Sequence, residues 1–189
     1  MSKYFSKKIF YILLLLNLVI YSNVKSQPLT AGAVATSDSL ATKIALNILN
    51  RGGNAIDAGV SAMCALTVVE PYSSSPGGGG LMIVKMNNTK AKMIDFREQV
   101  VLNADPENFY QSEIDFNIYS SSGLTSICVP GFFAGAEKAL QEYGTMKLEE
   151  VLEPVIQLAD SGFSVSLSLS KMTAKYYDHL NIDKITTEI

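Results

Sequence analysis

The chain is poor in the residues that most metal and hydrolytic chemistry draws on. Its 189 residues include one histidine, His179, and two cysteines, Cys64 and Cys128. That set cannot assemble a usual four-ligand structural zinc site. No Gly-x-Ser-x-Gly elbow is present and His179 lies near the C-terminal end, which argues against a serine–histidine hydrolase. The glycine run at Gly77–Gly80 is not followed by Gly-Lys-Ser/Thr, and no dinucleotide-binding glycine spacing occurs, so no phosphate loop or nucleotide cofactor is indicated. Charge is scarce as well. Only 17% of residues are charged, the net charge is −3, and no block of one sign exists, so nucleic acid is not an implied partner. What remains is a chain with 48% hydrophobic residues, long enough for about one core-forming domain.

A long apolar run is also missing. Lys3, Lys7 and Lys8 precede Ile9–Tyr21, an apolar stretch interrupted by Asn17. It is about 13 residues long, against the roughly 20 needed to span a bilayer. Val24-Lys25-Ser26 supplies small or modest residues at the −3 and −1 positions of a cleavage site. Residues 1–26 are therefore expected to be a signal peptide, leaving residues 27–189 as an exported, periplasmic or extracellular chain. An uncleaved N-terminal anchor is the rival reading, and only then would the membrane be a partner. Export would permit a disulfide. Both cysteines sit in apolar runs, however, and buried free thiols are the better reading.

Leu29–Thr36 is short, apolar and rich in small residues, as a buried strand would be. Ser37 or Asp38 can cap a helix carrying Leu40, Ile44, Ile48 and Leu49 on one face, ended by Arg51-Gly52-Gly53. Asn54 can cap the next helix, Ala55–Val69, which is apolar on nearly every side and so expected to be buried, with Pro71 as its stop. Gly59 within it costs about 1 kcal/mol of propensity, which predicts a packing reason for it. Further on, Asp105-Pro106 could open a short helix through Tyr110. Leu124–Val129 reads as a strand closed by Pro130-Gly131. A helix over Phe132–Tyr143 should turn Phe133, Ala136, Ala139 and Leu140 to the core, with Gly144 as its end. Another over Leu148–Ser161 should turn in Val151, Leu152, Val155, Ile156 and Ala159, with a kink at Pro154 and a stop at Gly162. A last helix is expected to start at Leu167.

Glu70–Glu98 is the organising stretch. Gly77–Gly80 leads into the apolar run Leu81–Val84. A polar tract, Asn87–Lys90, separates this from a second run ending at Phe96 and Arg97. The pattern predicts a hairpin turning near Asn88. Asn87-Asn88-Thr89 is also a glycosylation sequon, which matters only in a source that glycosylates exported proteins. Antiparallel pairing about Asn88 would set Arg97 opposite Gly78–Gly80. A guanidinium beside open glycine backbone would suit a carboxylate, which matches its fork in shape and charge. The plainer alternatives are a glycine turn with no ligand, and a surface ion pair of Arg97 with Asp95 or Glu98.

The runs GGNAIDAGVSAMCALTVVEP, PGGGGLMIVK and MIDFRE resemble the large-subunit half of γ-glutamyltranspeptidases. TSICVPGFFAGAEKALQEYGT and LEEVLEPVIQLADSGFSVS match the same family in the same order. The resemblance covers roughly Leu29 to Ser168, and several ordered motifs are far harder to reach by chance than one glycine run. It implies an α/β fold, an incomplete four-layered αββα sandwich of the N-terminal-nucleophile hydrolase type, working without metal or organic cofactor. It implies γ-glutamyl transfer from glutathione or another donor to water, an amino acid or a peptide, through a γ-glutamyl-enzyme. The arginine of the family's Asp-x-Arg-Glu motif binds the donor α-carboxylate. In Asp95-Phe96-Arg97-Glu98 that role falls on Arg97, with Gly77, Gly78, Gly79, Gly80, Asp95 and Glu98 shaping the pocket. The segment after Arg97-Glu98 departs from the family, which usually has Ala-Pro where this chain has Gln99-Val-Val-Leu-Asn-Ala-Asp.

The same resemblance places the nucleophilic threonine, exposed by self-cleavage at the start of a small subunit, beyond Ile189. Thr125, Thr145, Thr186 and Thr187 lack its motif context, so no catalytic residue is assigned in this chain, and alone it is expected to be inactive. The alternatives are a non-catalytic binding module, a subunit completed by a separately encoded small subunit and, within the family, an amide acylase.

Overall fold

A computed structural model describes residues 32–105, 107 and 126–180. The proposed signal segment, most of the helix expected from Asp105-Pro106 through Tyr110 and the C-terminal residues 181–189 lie outside them. Six helices and a hairpin occur among the described residues, built on local signals. Helix α1, Ser39–Asn50, begins where the Asp38 carboxylate accepts the Leu40 N–H at 2.7 Å. It ends where Gly52 takes φ +94°, letting the Gly52 and Gly53 amides fold back onto the Leu49 and Ile48 carbonyls at 3.1 and 3.0 Å. Arg51 is its C-cap, and its guanidinium meets Glu153 at 2.9 Å.

Helix α2, Ala55–Val69, is the centre of the fold. Asn54 Oδ1 accepts the Ile56 and Asp57 amides, and Asp57 accepts the Asn54 amide in return, a reciprocal capping box. Small residues let α1 approach closely: Ala45 and Ile48 of α1 pack on Ala58 and Ala62 of α2. The other side of α2, through Ile56, Val60, Cys64 and Ala65, joins a larger core with α3, Phe132–Tyr143, α4, Leu148–Ser161, and the hairpin. Burial raises the Cys64 thiol to a pKa of about 12, and it is a buried free thiol as its apolar setting predicted; Cys128 is also free but only half-buried, against expectation. Gly59 has no packing reason among the described residues, since a Cβ there would meet nothing within 4 Å.

Two helical faces are shifted from the expected ones. In α3 the buried residue is Phe132, while Phe133 is 51% exposed. Phe132 begins the row continued by Gly135, Ala136, Ala139 and Leu140, and both phenylalanines fit the helical period nearly equally well in sequence. In α4 Val151 and Val155 are buried and Leu152 packs beside them, but Ile156 and Ala159 are exposed. That helix continues through Pro154 and stops at Gly162, φ +73°. Helices α5, Leu167–Lys175, and α6, Tyr177–Leu180, follow, separated at Tyr176.

The sheet contains β1, Leu81–Val84, and β2, Lys92–Asp95, paired antiparallel with Leu81 opposite Asp95 and Val84 opposite Lys92. Its turn holds Asn88 at φ 60°, an angle asparagine tolerates. Val84 and Ile94 face the core, whereas Leu81, Ile83 and Met93 are exposed. No strand forms over residues 32–36, and of the strand expected at Leu124–Val129 the described part makes a single bridge, Val129 to Gln99. A strand needs a neighbour along its length, and among the described residues neither segment has one.

Candidate functional site

The hairpin register extends beyond the strands into the glycine run. Gly80 and Phe96 exchange both backbone hydrogen bonds, at 3.3 and 3.0 Å, so the next pair is Gly79 with Arg97. The sequence expectation for this pairing holds. Contact here is too close for side chains on the glycine strand. A Cβ on Gly79 would lie 2.2 Å from the Phe96 carbonyl oxygen and 2.9 Å from Arg97 Cα. The Gly78 carbonyl in turn accepts the Gly131 and Phe132 amides, each at 3.1 Å, and so seats the N-terminus of α3. From the other side, a Cβ on Gly131 would be 2.2 Å from Phe96 O, and one on Gly135 would be 2.2 Å from Phe96 Cγ. Three glycines from two elements thus enclose the backbone and ring just before Arg97.

After Arg97 the chain is pinned again, because Gln99 and Val129 exchange hydrogen bonds at 3.1 and 2.7 Å. Between these two clamps Arg97 reaches a cleft of about 620 Å³, whose walls include Asp95, Glu98, Pro130 and Lys138. Its side chain is 67% exposed, and its Nε lies 3.2 Å from Glu98 Oε2. Asp95 does not pair with the guanidinium. Its Oδ1 accepts the Arg97 backbone N–H at 3.0 Å. Glu98 also borders a second cleft of about 450 Å³, together with Gly78, Gly79, Gly80 and the serines Ser73, Ser74 and Ser75. Gly77 lines neither cleft; its amide is held by Ser75 Oγ at 3.2 Å in the turn that precedes them.

Sequence reasoning missed two features. Lys138 brings a second cation to the Arg97 cleft from α3, and it had no motif to mark it. Asp57 is fully buried and ties the start of α2 to the α3–α4 turn, accepting from Thr145 N, Thr145 Oγ1 and Met146 N. Its spacing from Asn54 advertised the capping box but not this second duty. No cluster of three or more His, Cys, Asp or Glu side chains that could hold a metal occurs among the described residues.

The family model for γ-glutamyltranspeptidase matches residues 41–189, which include this hairpin and both clefts. The chain belongs to the γ-glutamyltranspeptidase family. It is 38% identical over 154 residues to the glutathione hydrolase proenzyme of Bacillus subtilis (strain 168), covering 79% of this chain and 26% of that protein. It is 39% identical over 142 residues to the glutathione hydrolase proenzyme of Escherichia coli (strain K12), covering 74% and 24%. The crystal structure of Helicobacter pylori γ-glutamyltranspeptidase superposes with a TM-score of 0.77 at 32% identity, covering 87% of this chain and 47% of that one. The fold is thus the α/β fold of γ-glutamyltranspeptidases, of the N-terminal-nucleophile hydrolase type. This chain spans about a quarter of the length of those curated relatives.

Proposed function

We propose that this chain supplies the donor-carboxylate end of an enzyme that transfers or hydrolyses γ-glutamyl groups, with glutathione as a donor. The observation that carries the proposal is the placement of Arg97. Two backbone clamps hold it at the mouth of a cleft, and its guanidinium makes one ion pair among the described residues, through Nε. The terminal nitrogens can then take a carboxylate bidentately. Gly78–Gly80 and Glu98 shape the floor beside it. The reaction is acyl transfer: a threonine hydroxyl outside this chain attacks the γ-carbonyl, the amine leaves with a proton, and water or an acceptor amine releases the γ-glutamyl group. Arg97 orients the donor for that attack and holds no proton in it. By this reading a small subunit carrying the nucleophile is the required partner, and the 189 residues alone do not hydrolyse glutathione. Export follows from the basic, apolar N-terminal segment.

The test is Arg97→Ala in the complete gene product, with γ-glutamyl-p-nitroanilide as donor. Loss of a charge-assisted bidentate contact worth about 1.5–3 kcal/mol should raise the donor KM roughly ten- to a hundredfold. An unchanged KM rejects the carboxylate role.

A further inference from the structure

We infer that Lys138 is a specificity residue favouring donors whose leaving amine carries a carboxylate; this rests on the reading of Arg97 given above. Gly131 caps α3, and Gly135 and Lys138 follow at a spacing that keeps all three on one helical face. The two glycines lie against Phe96, where a Cβ on either would come to 2.2 Å from its carbonyl oxygen or its ring. Lys138 continues that row. Helix α3 therefore carries its side chain to the wall of the cleft that Arg97 also lines.

The ammonium is loosely held. Its one ion pair among the described residues is with Glu142, a turn further along α3, at 3.8 Å, and the two side chains are 60% and 45% exposed. Such a pair contributes little, and an incoming anion can replace it. Of the other acids on the cleft walls, Asp95 accepts the Arg97 backbone amide and Glu98 lies beside Arg97 Nε, so neither is paired with Lys138. The cleft holds about 620 Å³, within the roughly 300–1,000 Å³ of small-molecule sites, which gives room for more than one carboxylate. A γ-glutamyl group brings a single free carboxylate, the α one, because its γ-carboxyl is tied up in the amide. With Arg97 on that group, a second carboxylate in the cleft belongs to the leaving amine, and Lys138 supplies its counter-charge. A flexible ammonium suits a carboxylate whose position varies from one leaving group to the next, where the rigid fork of arginine suits the fixed one. Amino acids and peptides are leaving amines of this class, the cysteinylglycine of glutathione among them.

The experiment uses the complete gene product and two donors that differ by one carboxylate on the leaving group, γ-glutamyl-p-nitroanilide and its 3-carboxy derivative. Lys138→Met keeps the length and removes the charge. It should raise KM for the carboxylated donor about two- to fivefold, the size of an exposed ion pair, and move KM for the plain donor less than about 1.5-fold. Lys138→Glu should widen the gap to about five- to tenfold, and about 1 M salt should close it in the unmutated enzyme. Equal shifts for the two donors, or a shift for neither, would overturn the inference. Arg97→Ala separates the two readings: it should raise KM for both donors alike, and no change in either rejects the α-carboxylate role, whereas the difference between donors in Lys138→Met decides the role of Lys138.

Discussion

Removing the Asp57 carboxylate should be the most damaging single change to the fold outside the hydrophobic core. The side chain is fully buried and accepts four donors: Asn54 N at 2.7 Å, Thr145 N at 3.0 Å, Thr145 Oγ1 at 2.6 Å and Met146 N at 3.2 Å. Each hydrogen bond to a charged group is worth about 1.5–3 kcal/mol. Simple addition overstates the loss, because Thr145 is at the surface and water can reclaim some of its donors. Two bonds' worth, about 3–6 kcal/mol, is the expected cost of Asp57→Ala, a large share of the roughly 5–15 kcal/mol that holds a domain together. Asp57→Asn should cost about half of that, since the amide keeps one accepting oxygen but turns an N–H toward the remaining donors. Thr145→Val, which deletes one hydroxyl bond, should cost about 1–2 kcal/mol. Urea unfolding at constant m measures all three. A loss below about 1 kcal/mol for Asp57→Ala would refute the idea that this carboxylate holds α2 to the α3–α4 turn.

Other changes follow from the same geometry. Cys128, half-buried, should react with Ellman's reagent in the native protein, and Cys64 only on unfolding. The folded pKa of Cys64 is raised by burial from 9.0 to about 12, so the unfolded state releases its proton first as pH rises. Its contribution is intact below pH 9 and falls by about 1.4 kcal/mol per pH unit from there to about 12; Cys64→Ala should flatten that slope relative to wild type in pH-dependent urea melts. Gly135→Ala should destabilise by about 1–3 kcal/mol, because its Cβ would collide with Phe96, whereas Gly59→Ala should stabilise by up to about 1 kcal/mol in an open helical position. Thermal melts of both variants check the pair, and a destabilised Gly59→Ala would mean that something outside the described residues packs on that face.

The local devices of this fold were legible before any tertiary structure. Asp38, Asn54, Gly52 and Gly162 act through hydrogen bonds or dihedrals within a few residues, so their positions in the chain suffice. The pairing of Arg97 with Gly79 was legible for the same reason. A hairpin's register follows from its turn, and Asn88 marks the turn. The family was readable as ordered motifs.

What the sequence could not decide depends on meetings between distant segments. The choice of Phe132 over Phe133 is set by where α3 lands on the core, a rotation that helical periodicity leaves open by one residue. The strand expected at Leu124–Val129 has strand-like residues, but among the described ones only Val129 makes a β-bridge. Asp57 meets Thr145 across 88 residues, and Gly131 and Gly135 close on Phe96 from another helix. Sequence by itself determined which segments become helices and hairpin, because those choices are governed by short-range sterics and hydrogen bonds. Tertiary structure alone decided which faces are buried and which glycines are obligatory, because each depends on close packing between elements that chain order does not bring together.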